Sequence, residues 1–194
     1  MNNKIGIGIA GLGTVGEGFL KQLKKYKTSN KKTSNFELIN IAVKDLRKKR
    51  NVSTKNLPLI KDTLSLASNP KINIVIELIG GSSGVAYKLV KKSLMNGKSI
   101  ITANKALLAI HGNELIKIAE KNNCFISFEA AIAGGIPVVK AIRENLKFNE
   151  ITKVYGILNG TCNYILTKME NEGKDFNSVL KDAQNLGFAE LDPS

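Results

Sequence analysis

A glycine turn placed between a strand and a helix constrains this chain more than anything else in it. Lys4 to Ala10 is a short apolar run rich in isoleucine, and Gly11-Leu12-Gly13-Thr14-Val15-Gly16 follows it directly. Val15, Phe19 and Leu23 then recur at helical spacing, which predicts a helix over Thr14 to Lys27. A GxGxxG match gains its meaning from that context. Gly11 permits the tight turn, Gly13 lets the backbone approach a pyrophosphate, and Gly16 lets the helix pack on the strand. Thr14 and Val15 stand in the first helical turn, where free N–H groups face an anion. All five are candidate residues for binding a dinucleotide cofactor.

The remainder of the first 150 residues alternates in the same way. Glu37 to Val43, Ile72 to Leu78, Ser99 to Thr102 and Cys124 to Glu129 read as strands. Their apolar runs are nearly continuous, as in parallel strands covered on both faces. Helices are predicted over Asp62 to Ala67, Ser83 to Asn96, Asn104 to Asn122 (broken near His111-Gly112) and from Ala133 to about Leu146. Such alternation predicts an α/β fold, a Rossmann-type doubly wound parallel sheet. From Ile151 the pattern changes to a strand over Thr152 to Leu158 and helices over Cys162 to Glu172 and Asn177 to Leu186. The expected organisation is a cofactor domain over 1–150 and the beginning of an α+β substrate domain over 151–194.

Ligands of doubly wound folds bind at the carboxyl ends of the strands, so three strand ends matter. The second ends in Val43-Lys44-Asp45, with Arg47, Lys48, Lys49 and Arg50 just beyond. Basic residues there accept a 2′-phosphate, whereas an acid bonds the ribose hydroxyls. Lys44 and its neighbours favour NADP, and Asp45 leaves NAD open. The third ends in Glu77-Leu78-Ile79-Gly80-Gly81, which brings Gly80 to the same edge. The fourth runs through Thr102-Ala103-Asn104 to Lys105, a side chain that either meets cofactor and substrate or sits in water.

The formal charge of +13 over 194 residues raises the question of nucleic acid. Lysines crowd Lys21 to Lys32 and Lys44 to Lys55 without the interleaved aromatics of a base-stacking surface, so no nucleic-acid partner is expected. Cys124, Cys162 and the single His111 share no metal-ligand spacing, and both thiols read as small buried hydrophobes. The N-terminal run is too short for a membrane span and lacks a signal-peptide layout, which makes the cytoplasm the expected location.

In order along the chain, GLGTVG, ELIGG, ITANKALLA, FEAAIAGGIPVVKAIRENL, GILNGTCNYIL and LGFAELDPS resemble homoserine dehydrogenase. The resemblance covers essentially the whole chain. It implies an NAD(P)H-dependent enzyme that interconverts aspartate 4-semialdehyde and homoserine on the route to threonine, isoleucine and methionine. It also implies a homo-oligomer at full length. Lys105 then looks like the lysine beside nicotinamide and substrate. Glu129, with main-chain groups of Ile132, Gly134 and Ile136, matches the family's structural sodium site. Asn159-Gly160-Thr161 looks like the turn into the substrate domain. Gly187 matches a cofactor contact, and Glu190 a ligand of the substrate's ammonium or hydroxyl group.

Where the family has a proline soon after ELIGG, this chain has Ser82-Ser83-Gly84. The family's proton-donating lysine lies beyond LDP, so the chain reads as a fragment expected to bind NADP and to turn over little alone. A cofactor-binding module acting through a partner is the alternative reading.

Overall fold

The computed structural model describes residues 4–29, 35–157 and 159–189. The chain divides into two compact units, residues 1–147 and 148–194. In the first, β1 (Ile5–Ala10), β2 (Phe36–Ala42), β3 (Leu59–Ile60), β4 (Ile74–Glu77), β5 (Ser99–Thr102) and β6 (Ile126–Ser127) form one sheet. Its order is β3-β2-β1-β4-β5-β6, and every pairing is parallel. Among the helices between strands are α1 (Thr14–Ser29), α2 (Ser65–Ser68), α3 (Gly84–Met95) and α4 (Lys105–Lys121). This is the doubly wound Rossmann-type sheet, and its strand order reverses between β1 and β4.

Strand periodicity divides the core between the two faces. Ile7, Ile9, Ile41 and Ile76 point to one face, where Leu12 and Leu20 cover them. Their neighbours Ala10, Ala42, Val75 and Ile100 point to the other, against Leu66, Leu89, Leu94, Leu107 and Leu115 from α2, α3 and α4. Side chains alternate along a strand, so continuous apolar runs feed both cores at once. Cys124 packs beside the second core, and burial pushes its thiol pKa up.

The structure departs from the sequence expectations at several points. β3 was not foreseen, because two residues carry no period; Ile41 N–H donates to the Pro58 carbonyl and Val43 N–H to that of Ile60. The helix expected to break near His111-Gly112 is continuous over Lys105–Lys121. Gly112 is buried and the His111 ring lies 4.3 Å from that of Tyr87 on α3, so tertiary packing offsets glycine's low propensity. Of Cys124 to Glu129, only Ile126–Ser127 pairs as a strand, beside Ile100 and Ile101. The helix expected from Ala133 begins later, as α5 (Val138–Lys140), and runs into a π turn over Ala141–Asn145. Residues 152–157 form no strand and are exposed, for no neighbouring strand in the described residues pairs with them.

In the second unit, α6 (Gly160–Glu172) and α7 (Phe176–Asn185) pack through Ile165, Val179 and Ala183. Asn159 caps α6 by accepting from Cys162 N–H at 3.0 Å, and Gly173 ends it in the left-handed region. Cys162 itself is exposed, not buried as expected. Ammonium groups of Lys168 and then Lys174 hold the Glu172 carboxyl down at about 2. Among the described residues no helix is long and apolar enough to cross a membrane.

β1 lies so close to its neighbours that two of its glycines have no room for a side chain. A Cβ on Gly6 would stand 1.7 Å from the Lys71 carbonyl oxygen, a backbone atom. On Gly8 it would stand 2.8 Å from Ile72 Cδ1, the end of a side chain that can turn away. Overpacking of this kind costs about 1–3 kcal/mol or more. Gly6→Ala is therefore expected to lower the thermal midpoint well beyond Gly8→Ala, measured side by side by circular dichroism; equal midpoints would contradict the packing described.

Candidate cofactor site

Gly11 N–H donates to the Ala42 carbonyl at 2.9 Å, which carries the chain off the end of β1 and across β2. Its φ of +100° is in the region that favours glycine, and a Cβ there would stand 2.5 Å from the Leu78 carbonyl oxygen. A Cβ on Gly16 would stand 2.6 Å from the Gly11 carbonyl oxygen, so α1 starts in contact with the turn. Gly13 differs: nothing lies within 4 Å of its Cβ position. Crowding fixes Gly11 and Gly16, and the open side of Gly13 is the one a ligand can approach. Glu17 N–H donates to the Gly13 carbonyl at 2.8 Å, the first bond of the helix. The N–H groups before it have no acceptor within the helix.

A cleft of about 510 Å³ opens on this turn, with Gly11, Gly13, Lys44, Lys48, Lys61 and Val85 among its lining residues. Thr14 lines the adjoining cavity with Lys21, Lys48 and Lys49, and Val15 is exposed in the first turn of α1. The loop after β2 is shaped by its own side chains. Arg50 donates to the carbonyls of Asp45 at 2.7 Å, Lys48 at 3.0 Å and Leu12 at 3.4 Å, which ties the loop to the glycine turn. Glu17 on α1 accepts from Asn51 N–H at 3.1 Å. The Asp45 carboxylate accepts from Arg47 N–H at 2.8 Å, so one of its oxygens is committed to the loop. Lys44 is exposed at the cleft.

Beyond β4 and β5, the glycine loop and the start of α4 are joined by buried polar groups. Glu77 and Thr102 are partners in the register of β4 and β5. The Glu77 side chain has no exposed surface; it accepts from Ile79 N–H at 2.7 Å, Gly80 N–H at 3.1 Å and the Thr102 hydroxyl at 2.6 Å. Asn104 caps α4 by accepting from Leu107 N–H at 3.1 Å, and its amide donates to the Gly81 carbonyl at 2.7 Å. Gly80 and Lys105 are therefore held on adjacent loops, with Lys105 exposed as the first residue of α4. In the sequence, Glu77, Thr102 and Asn104 stand out only as parts of strands and motifs. The available signal was a carboxylate closing an apolar strand at the level of a threonine closing the next.

Glu129 opens a 3-10 turn after β6. Its Oε2 is buried with no hydrogen-bond partner. The chain then passes through Ala133 (φ +56°) and Gly135 (φ +91°), conformations that turn successive carbonyls in different directions. Ile136 O accepts from Val138 N–H at 2.8 Å; among the described residues no backbone N–H donates to Ile132 O or Gly134 O. A buried carboxylate oxygen without a donor is chemically suited to a hydrogen-bond donor or a hard cation.

In the second unit, Gly187 has a local part. Its φ is +77°, its N–H donates to the Gln184 carbonyl at 3.1 Å, and Phe188 N–H donates to that of Ala183 at 2.8 Å. This pair of bonds is a Schellman motif, and it accounts for the glycine at the end of α7. The Thr161 hydroxyl donates to the Phe188 carbonyl, and the rings of Tyr164 and Phe188 lie 5.1 Å apart. Glu190 lies outside the described residues.

Comparison with known proteins identifies the family of the chain. A family model described as the NAD binding domain of homoserine dehydrogenase matches residues 11–129, and one described as homoserine dehydrogenase matches residues 137–194. A homoserine dehydrogenase from Pseudomonas aeruginosa is 45% identical over 97% of this chain and 43% of its own length. The crystal structure of one from Thiobacillus denitrificans is 42% identical, covers 98% of this chain and 44% of its own, and has a TM-score of 0.84. A hyperthermophilic archaeal homoserine dehydrogenase in complex with NADPH is 29% identical over 98% of this chain and 64% of its own, with a TM-score of 0.76. The chain thus spans less than half the length of the first two. It belongs to the homoserine dehydrogenase family.

Proposed function

We propose that this chain carries the cofactor half of an NADP(H)-dependent homoserine dehydrogenase, which interconverts homoserine and aspartate 4-semialdehyde. The observation that carries the reading is the cleft in which the open face of Gly13 meets Lys44, Lys48 and Lys61. Backbone N–H groups at the start of α1 would take the pyrophosphate, through the turn of Gly11, Gly13, Thr14, Val15 and Gly16. The exposed lysines would take the 2′-phosphate, while Asp45, engaged with Arg47 N–H, is less available to ribose hydroxyls. Gly80 and Lys105, on the loops after β4 and β5, would lie toward the nicotinamide.

When bound, the dinucleotide supplies hydride transfer. This chain's residues bind and orient it, and Lys105 offers a cation at the edge where a substrate carbonyl or carboxylate would approach. The apolar side chains exposed at Val154, Tyr155 and Ile157 suit coverage by further protein, in keeping with a homo-oligomer of greater length.

The Glu129 segment is read as a sodium site. Glu129 would supply the charged ligand, and the main-chain oxygens of Ile132, Gly134 and Ile136 the neutral ones. The unpartnered Glu129 Oε2 supports this reading, because such an atom is costly to bury without a hydrogen bond or a cation.

Titrating this chain with NADPH and NADH, followed by nicotinamide fluorescence, tests the cofactor reading. NADPH is expected to bind more tightly by about tenfold, the worth of one charge-assisted contact, and that margin should shrink in Lys44→Ala. Equal binding of the two, or none, would reject it. Homoserine-dependent NADP reduction by this chain alone is expected to be slight, and a protein spanning the relatives' length should show it. For the cation, replacing sodium by tetramethylammonium at constant ionic strength should lower the thermal midpoint of the wild-type chain and leave that of Glu129→Gln unchanged; an identical response of both proteins would remove the site.

A further inference from the structure

We propose that Glu77 is a positioning residue for the nicotinamide end of the cleft, an inference that rests on the cofactor reading above. Its carboxylate closes a ring of hydrogen bonds through two loops. Glu77 Oε1 accepts from Gly80 N–H, and the Gly81 carbonyl accepts from the Asn104 amide. Asn104 N–H donates to the Thr102 hydroxyl oxygen at 3.0 Å, and the Thr102 hydroxyl donates to Glu77 Oε2. Glu77, Thr102 and Asn104 are 0%, 1% and 6% exposed, so water does not share these bonds.

The chemistry requires a carboxylate at the centre. Three donors point at Glu77 and it returns none. An amide in its place would turn its NH2 toward the Thr102 hydroxyl, which could accept it only by giving up the acceptor of its own buried proton. Among the described residues no cation pairs with it. A buried charge without a counter-ion gives a fold little net stability, and apolar residues of similar volume commonly serve as well or better. What an apolar pair could not do is hold the two loops together. One side of the ring fixes the Ile79–Gly80 turn, and the other fixes Asn104, hence the first residue of α4, Lys105. Glu77 thus sets where a backbone turn and the backbone of Lys105, from which the ammonium group extends, stand relative to each other before any ligand arrives.

The test is a set of NADPH affinities measured on this chain for Glu77→Gln, Thr102→Val, Thr102→Ser, Lys105→Ala and the double variant Thr102→Val/Lys105→Ala. Loss of a buried bond to a charged group is worth about tenfold or more in affinity, so Glu77→Gln should weaken binding by at least that factor. Thr102→Val should weaken it by less, because the Ile79–Gly80 side survives, and Thr102→Ser should bind within about twofold of wild type.

The double variant is decisive. If Thr102 acts by placing Lys105, its loss adds nothing once Lys105 is gone, and the double variant binds like Lys105→Ala. Independent effects that multiply would overturn the proposal. So would wild-type affinity in Glu77→Gln, or an effect of Thr102→Val with none of Lys105→Ala. Should Glu77→Gln fail to fold, the Thr102 and Lys105 series decides alone. Failure of wild-type chain to bind NADPH would instead reject the cofactor reading.

Discussion

All six strands of the sheet point the same way, and everything functional in this chain depends on that direction. Parallel pairing brings every carboxyl end to one edge, where the loops after β1, β2, β4 and β5 emerge side by side. The reversal of order between β1 and β4 parts those loops and leaves the crevice between them. The glycine turn, the lysine-rich loop and the Gly80 loop are distant in sequence, yet the sheet delivers them to one cleft. Two apolar cores, one on each face, hold that edge rigid from below.

Much of this was legible in the residues. The isoleucine runs gave parallel strands because side chains buried on both faces leave no polar alternation. The glycine turn gave the junction of β1 and α1 because crowding leaves no room for a side chain at Gly11 or Gly16. Failures came where tertiary contact overrode a local signal. Gly112 looked like a helix break and is instead a buried position within the continuous α4. β3 is held by backbone bonds to β2, and no pattern of two residues announces that. The network around Glu77 was hidden for a related reason. Its meaning lies in the cross-strand register with Thr102, which a single sequence does not display.

Gly187 illustrates how one residue admits two accounts. Family resemblance points to a cofactor contact, while the α7 terminus already demands a residue tolerant of positive φ. The helix cap alone is sufficient to explain glycine there. Glu129 is the reverse case, since nothing in the local backbone uses its second oxygen. A buried oxygen of that kind has room for a donor or a cation that the described residues do not supply.

Arg50 carries a last implication. It spends its guanidinium on three carbonyls of its own loop and the glycine turn, so its charge serves as scaffolding. The lysines beside it keep free stems at the surface of the cleft. On the cofactor reading proposed above, architecture and discrimination fall to different side chains. A lineage can exchange Lys44 for a neutral or acidic residue, and drift from one nicotinamide cofactor to the other, while the loop that presents it keeps its shape.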